Sequence, residues 1–232
     1  MTRPAHVPAP DPAPALGPGP APRPGPEGAS TPAADPTPTP AADPVPSPTA
    51  TPGAAPAAAP VVIREAFPED AAGIAAVHVL SWRAAYRELL PGPYLASLDV
   101  AERAARWRTR LGAPDRPRVL LATDGGGRVV GFVCFRAWPG EEFAPGTTAE
   151  VAALYALPEV WGRGVGRALL AESARALAQD GFRTAALWVP AGNARARRFY
   201  EAAGWRPDGT VATEETGGVL LDELRYRKLL FG

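Results

Sequence analysis

The chain is poor in cysteine. Of its 232 residues only Cys134 carries a thiol, so no internal disulfide can form. Cys134 lies in the apolar run at 129–135 and reads as a packed strand thiol. Histidine is scarce as well, with two residues and no Cys/His cluster. That argues against a structural zinc site, and no metal is expected. No apolar run reaches eighteen residues, so no membrane span is expected. Nor is one sign of charge in excess, since 24 basic residues face 24 acidic ones. The arginines are dispersed, which gives no footprint for nucleic acid. A soluble, cytoplasmic protein is the expectation, and its oligomeric state, homodimer included, stays open.

Apolar residues other than alanine are nearly missing from residues 1–60, where only Val7, Leu16 and Val45 stand out. What is there instead is proline: twenty of the chain's thirty. Such a segment cannot bury enough surface to offset its conformational entropy, so it is expected to be disordered with polyproline II character. Fully extended it would reach roughly 190 Å. It has no continuous apolar h-region and no basic n-region, which excludes a signal peptide, and its few arginines exclude a mitochondrial presequence. A passive tail, a partner-binding proline tract and a start codon assigned too far upstream all remain open readings. Residues 61–232 then form one domain with 22 basic and 20 acidic residues, a net charge of +2.

Within that domain the pattern predicts a first strand at 61–64. A helix follows from Pro68 to about Tyr86, opened by Glu69 and Asp70 and striped by Ile74, Val77 and Ser81. Pro91 and Pro93 break the chain. Asp99 with Glu102 suggests a capping box for a helix ending near 111–112. Strands at 118–123 and 128–137 flank a D-G-G-G turn and read as a hairpin. A strand at 150–157, a helix at 169–179, a strand at 183–189, a helix at 194–203 and strands at 210–213 and 220–229 complete the order.

The stretch with most chemical content runs from the strand near 151–157 into Gly162, Gly164 and Gly166 and then into a helix. Strand, glycine loop and helix is a way to hold a phosphate. Glycines let backbone N–H groups approach the anion, and a helix N-terminus adds partial positive charge. Arg163 and Arg167 can pair with phosphate oxygens. The dinucleotide fingerprint would need glycine where Arg167 or Leu169 stands, and the triphosphate loop G-x-x-x-x-G-K-S/T is absent. A loop that merely turns the chain is the alternative.

About thirty residues downstream lies a second segment, N-x-x-A-x-x-F-Y-x-x-x-G-W, spanning 193–205. Asn193 suits a helix N-cap and Gly204 suits the C′ position. Asn193 and Tyr200 are seven residues apart, close to two turns, so both project to one side of the helix. The loop and this segment, in this order, resemble the GCN5-related N-acetyltransferase superfamily. The resemblance covers most of 61–230, with one departure: the family pattern has Gln or Arg where this chain has Trp161.

That resemblance implies an α/β (α+β) fold with a mixed, mostly antiparallel central sheet flanked by helices. Its two parallel strands, 150–157 and 183–189, would splay apart to admit the pantetheine arm of acetyl-CoA, the expected cosubstrate. It implies pyrophosphate contacts from Gly162, Arg163, Gly164, Val165, Gly166 and Arg167. Backbone groups of Leu154, Tyr155 and Ala156 would contact the pantetheine and the oxyanion, and Asn193 the pantetheine side. Tyr200 would protonate the departing thiolate, and its unperturbed pKa near 10 keeps the proton available; a core aromatic is the alternative. The base that some relatives carry on the second splayed strand is Trp188 here. Glu150 is the best remaining carboxylate, against an ordinary solvated strand-end acid; His78 and a water chain are weaker candidates. The acceptor site is expected between the first two helices and residues 138–149, with Trp82, Tyr86 and Tyr94 as walls and Glu141 and Glu142 attracting a cationic amine. The implied activity is N-acetylation of a primary amine on a small molecule or peptide. A catalytically silent acyl-CoA-binding module and a protein acting through its proline-rich tail are the other readings.

Overall fold

The computed structural model describes residues 61–230. The expected tail at 1–60 and the last two residues lie outside the described residues. The chain opens with β1 (Val62–Glu65) and a 3₁₀ turn at Pro68–Asp70 that leads into α1 (Ala71–Ala85). The Asp70 carboxylate accepts the Phe67 N–H at 2.9 Å and pairs with Arg64 at 2.7 Å, which fastens the helix start to the strand. A short α2 (Gly92–Ser97) and α3 (Val100–Gly112) come next. Asp99 caps α3 by accepting the Glu102 N–H at 2.7 Å, but Glu102 turns its own carboxylate to Arg106 rather than back to the cap, so the box forms by half.

The sheet follows: β2 (Arg118–Thr123), β3 (Val129–Ala137) and β4 (Thr148–Ala156), then α4 (Val165–Gln179), β5 (Thr184–Pro190), α5 (Ala194–Ala202), β6 (Arg206–Thr216) and β7 (Val219–Leu229). Its order is β1-β2-β3-β4-β5-β7-β6. Every pairing is antiparallel except β4 with β5. Neighbouring residues of β3 assign the helices to faces. Phe132 packs on His78 of α1, while a Cβ at Gly131 would meet Leu169 and Val165 of α4 at 3.0–3.1 Å. Successive strand residues point to opposite faces, so α1 and α4 cover opposite sides of the sheet. The core between them includes Ile74, Leu121, Phe132, Phe135, Leu169 and Leu177, each no more than 1% exposed.

Three element expectations need correction. Pro91 and Pro93 do not simply break the chain; α2 starts there, because proline is at home in the first turn of a helix. Helix α4 begins at Val165 rather than 169, so Gly166 and Arg167 belong to its first turn. Strand β6 begins at Arg206 rather than 210, because the chain stays paired at Pro207 and only bulges between there and Val211, with Gly209 at φ +88°. The parallel pair does splay. β4 and β5 pair at only three positions, Thr148–Glu150 with Thr184–Ala186, and then continue unpaired to Ala156 and Pro190.

Candidate active site

The splay opens a cleft of about 900 Å³ between β4, β5, α1 and the starts of α4 and α5. Its first asset is bare backbone. Leu157 N–H donates to Val130 O at 2.9 Å, and β3 and β4 keep a regular register from there to Ala153. Opposed residues in an antiparallel ladder alternate between bonded and non-bonded pairs. Tyr155 therefore uses its backbone groups on β3, while Leu154 and Ala156 turn theirs to the open edge. All three residues expected to offer backbone line the cleft, but by this alternation only Leu154 and Ala156 turn backbone groups to its open edge.

At one end the cleft meets the glycine loop. Gly162 and Gly164 sit at φ +76° and +86°, a region costly for any residue with a Cβ. Gly164 is the N-cap of α4, so the N–H groups of Val165, Gly166 and Arg167 have no helical acceptor. Gly166 lets α5 come close: a Cβ there would lie 3.4 Å from the Phe199 ring. Arg167 lines the cleft, and Arg163 is exposed and does not. Trp161 donates Nε1–H to Ala156 O at 2.8 Å, and the Arg195 guanidinium lies 3.7 Å from its ring centroid. Glycines in left-handed turns, a free helix N-terminus and unpaired cations fit a phosphate-bearing ligand such as coenzyme A.

On the α5 side stand Asn193 and Tyr200, both lining the cleft. Asn193 Oδ1 accepts the Ala196 N–H at 3.0 Å as the helix N-cap, which leaves its amide N–H groups for other partners. Tyr200 is 8% exposed and packs against Phe199 and Trp205, with ring centroids 5.2 and 6.1 Å away. Its hydroxyl makes no hydrogen bond among the described residues. Burial pushes its pKa well above the usual phenol value, with the neighbouring Tyr155 adding to the effect, so it stays protonated.

The acceptor side is built differently from the expectation. Glu150 is 4% exposed, pairs with Arg136 Nε at 2.7 Å and is not among the residues lining the cleft. Burial raises its pKa against the pull of Arg136. Glu142 lies 2.8 Å from Arg225, and Glu141 is exposed. Tyr86 and Trp188 line the cleft. Trp82 and Tyr94 belong to a small apolar cluster with Leu90 and Leu95, and Tyr94 also covers Gly217 of the β6–β7 turn, where a Cβ would lie 2.6 Å from its ring. His78 is a core residue. It stacks on Tyr155 at 5.0 Å and accepts Trp107 Nε1–H at 3.4 Å, and burial lowers its pKa to about 3.

The sequence reading missed Glu223 of β7, which stands opposite Pro190 of β5. Burial, with Glu214 and Glu150 nearby, pushes its pKa to about 7. Its charge is felt by Tyr86 and Tyr155, two phenols of the cleft wall. In sequence it lies within an ordinary alternating strand, and no spacing marks it. Arg225, likewise missed, sits among Trp138, Phe143 and Trp188 at 5.0–5.7 Å and bonds Asp208 at 2.7 Å, which ties the 138–147 segment to the sheet. Among the described residues no group of three or more His, Cys, Asp or Glu is arranged to hold a metal ion, and no helix is long and apolar enough to cross a membrane.

Residues 79–205 match the family model described as the acetyltransferase (GNAT) family. The uncharacterized N-acetyltransferase YuaI of Bacillus subtilis is 38% identical over 165 residues, which is 71% of this chain and 90% of that relative. The probable N-acetyltransferase Rv2775 of Mycobacterium tuberculosis is 29% identical over 169 residues, covering 71% and 91%. Among solved structures, the PaiA N-acetyltransferase of Thermoplasma acidophilum in complex with coenzyme A superposes with a TM-score of 0.58 at 20% identity. The match covers 73% of this chain and 99% of that one, a likeness of fold.

Proposed function

The chain belongs to the GNAT acetyltransferase family, and on that premise we propose that it moves an acetyl group from acetyl-CoA directly to a primary amine of a small molecule or peptide. One observation carries this reading. A single cleft holds an open β4 edge and a glycine-rich helix start at one end and a protonated tyrosine on its α5 side. Bound acetyl-CoA would supply an activated acyl group as a thioester. Gly162, Gly164, Val165, Gly166 and Arg167 would hold its phosphates, Asn193 and the open edge its pantetheine arm. The N–H groups on the open edge at Leu154 and Ala156 would meet negative charge developing on the carbonyl oxygen. Tyr200 would give its proton to the leaving sulfur.

An amine attacks only when neutral. Glu223 is our proposed base: it does not itself line the cleft, but it stands on β7 opposite Pro190, which does, and its raised pKa lets it accept a proton near neutrality. Glu150 is placed to act on it from a distance: its buried negative charge raises the proton affinity of Glu223. The test is release of free CoA by the full chain across a panel of primary amines, alongside calorimetric binding of acetyl-CoA. Turnover of at least one amine is expected. Tight acetyl-CoA binding with no acceptor turned over would favour a silent acyl-CoA-binding module, and absence of binding would remove the proposal.

A further inference from the structure

We propose that Arg195, held over the Trp161 ring, is an anion-binding residue that receives a phosphate of coenzyme A from the α5 side of the cleft. The inference rests on the reading of this cleft as an acetyl-CoA site and adds a residue to it that no loop pattern contains.

The geometry carries the argument. Arg195 lies in the first turn of α5, beside the residue that precedes the glycine loop, and both it and Trp161 line the cleft. Its guanidinium carbon is 3.7 Å from the Trp161 centroid, which is stacking distance and the closest cation–aromatic contact in the described residues. Trp161 is itself pinned, since its Nε1–H bonds Ala156 O at 2.8 Å. The platform is therefore anchored to the strand edge that borders the cleft. Arg195 has no hydrogen bond and no ion pair among the described residues. Arg167 in the cleft and Arg198 on the helix are likewise without a partner among the described residues, whereas two other arginines are engaged. Arg197 bonds Ala191 O and Tyr226 OH, and Arg87 stands 3.5 Å from Glu88. Partial burial lowers the Arg195 pKa and no acid opposes it.

An exposed arginine gains little by being immobilised without a partner, because ordering its side chain costs entropy. Stacking on an indole recovers part of that and leaves the five N–H donors in the ring plane free. The result is a preorganised fork aimed at an anion. Arg167 supplies a second cation in the first turn of α4. A phosphate between the two would meet cations from both helices, and from backbone N–H groups at one.

The test is calorimetric binding to the full chain of three probes: coenzyme A, its 3′-dephospho form, and pantetheine, which has no phosphate. For Arg195→Ala the expected result is a loss of about 10- to 100-fold in coenzyme A affinity, the usual worth of a charge-assisted bond. Pantetheine affinity should be unchanged. Arg195→Lys should recover only part of the loss, since a lysine neither stacks nor forks. Trp161→Phe keeps a ring and should weaken coenzyme A less than Trp161→Leu. In the Leu variant a further Arg195→Ala change should cost much less than it does alone. An equal Arg195→Ala loss on coenzyme A and its dephospho form assigns the pyrophosphate, and a loss on coenzyme A alone assigns the 3′-phosphate; both support the proposal. Coenzyme A affinity within twofold of wild type in Arg195→Ala overturns it, as does an equal loss on pantetheine. If the wild-type chain binds none of the probes, the acetyl-CoA reading itself fails and takes this inference with it.

Discussion

The two ends of the cleft are made of different material. At the coenzyme end the groups offered are mostly backbone: the open edge at Leu154 and Ala156, the left-handed turns at Gly162 and Gly164, and the unpaired N–H groups at the start of α4. At the proposed acceptor end they are side chains brought together from distant elements, with Tyr86 from the end of α1 and Trp188 from β5 lining the cleft and Glu223 of β7 opposite Pro190 of its wall. Backbone donors need glycine and a helix start within a dozen residues, so they constrain a short stretch of sequence tightly. Side chains gathered across the sheet constrain no local pattern. The first arrangement can be read from a short stretch of sequence, and the second only from the folded chain.

The sharpest way to break the comparison is at the coenzyme end. Gly164→Asp places a Cβ at φ +86° and a carboxylate at the mouth of a helix N-terminus meant for an anion. Acetyl-CoA affinity should fall by about 100-fold or more, as strain and like-charge repulsion each cost on the order of 1–2 kcal/mol. Calorimetry checks it, and unchanged affinity in a folded variant would remove the loop assignment. At the acceptor end, Glu223→Gln should lower kcat/KM by roughly 100-fold, within the range of positioned bases. It should also erase a limb of the pH profile that rises through about pH 7 in the wild type. Stability moves the other way. The folded state keeps the Glu223 proton up to about pH 7, whereas the unfolded chain releases it near the ordinary carboxylate pKa, so wild-type stability declines as pH rises between the two. The Gln variant escapes that decline, and its Tm should exceed the wild type's at pH 8, with the gap closing by pH 5. A Gln variant less stable at both values would give Glu223 a structural role instead.

What could be read from the sequence divides along the same line. The hairpin at Asp124–Gly127, the Asp99 cap and the segment from Asn193 to Trp205 rest on local chemistry, the splayed pair is implied by the family resemblance alone, and the structure has them all. The missed start of α2 and the missed bulge at Gly209 have a shared cause. Proline, aspartate and glycine serve helix starts and bulges as readily as turns, and only the packing decides which. Glu223 sits in the run Asp222-Glu-Leu-Arg225, where alternation places it on one face of a strand but does not say whether water or a cleft lies there. Arg195 stands with Arg197 and Arg198 in a short helix where no spacing singles it out, and only the fold sets Trp161 against it.

Tyr200→Phe sharpens the comparison at a smaller amplitude, because Tyr200 belongs to the same helix as Asn193 yet acts on the reaction rather than on binding. The ring contacts with Phe199 and Trp205 survive, so folding and acetyl-CoA affinity should hold. The loss should fall on kcat, as for an interaction made in the transition state. About 10-fold is the expected size, at the low end of what positioned acids contribute, since a thiolate leaves fairly well unaided. Wild-type kcat under conditions where chemistry limits turnover would return Tyr200 to a packing role.

The smallest effect expected is from removing residues 1–60. Every group assigned to either end of the cleft lies between Ser81 and Arg225, and the removed segment offers three aliphatic side chains beyond alanine and proline with which to pack. Its composition supplies too little apolar surface to offset the entropy of ordering it. We therefore propose that residues 61–232 hold the whole activity. The shortened chain should keep kcat, KM for acetyl-CoA and Tm within experimental error of the full one, measured side by side at equal concentration. A Tm lower by several degrees would mean that the segment packs on the domain. A raised KM for the amine with acetyl-CoA affinity intact would place the segment at the acceptor end of the cleft, and the division between a backbone-built end and a side-chain-built end would then have to include it.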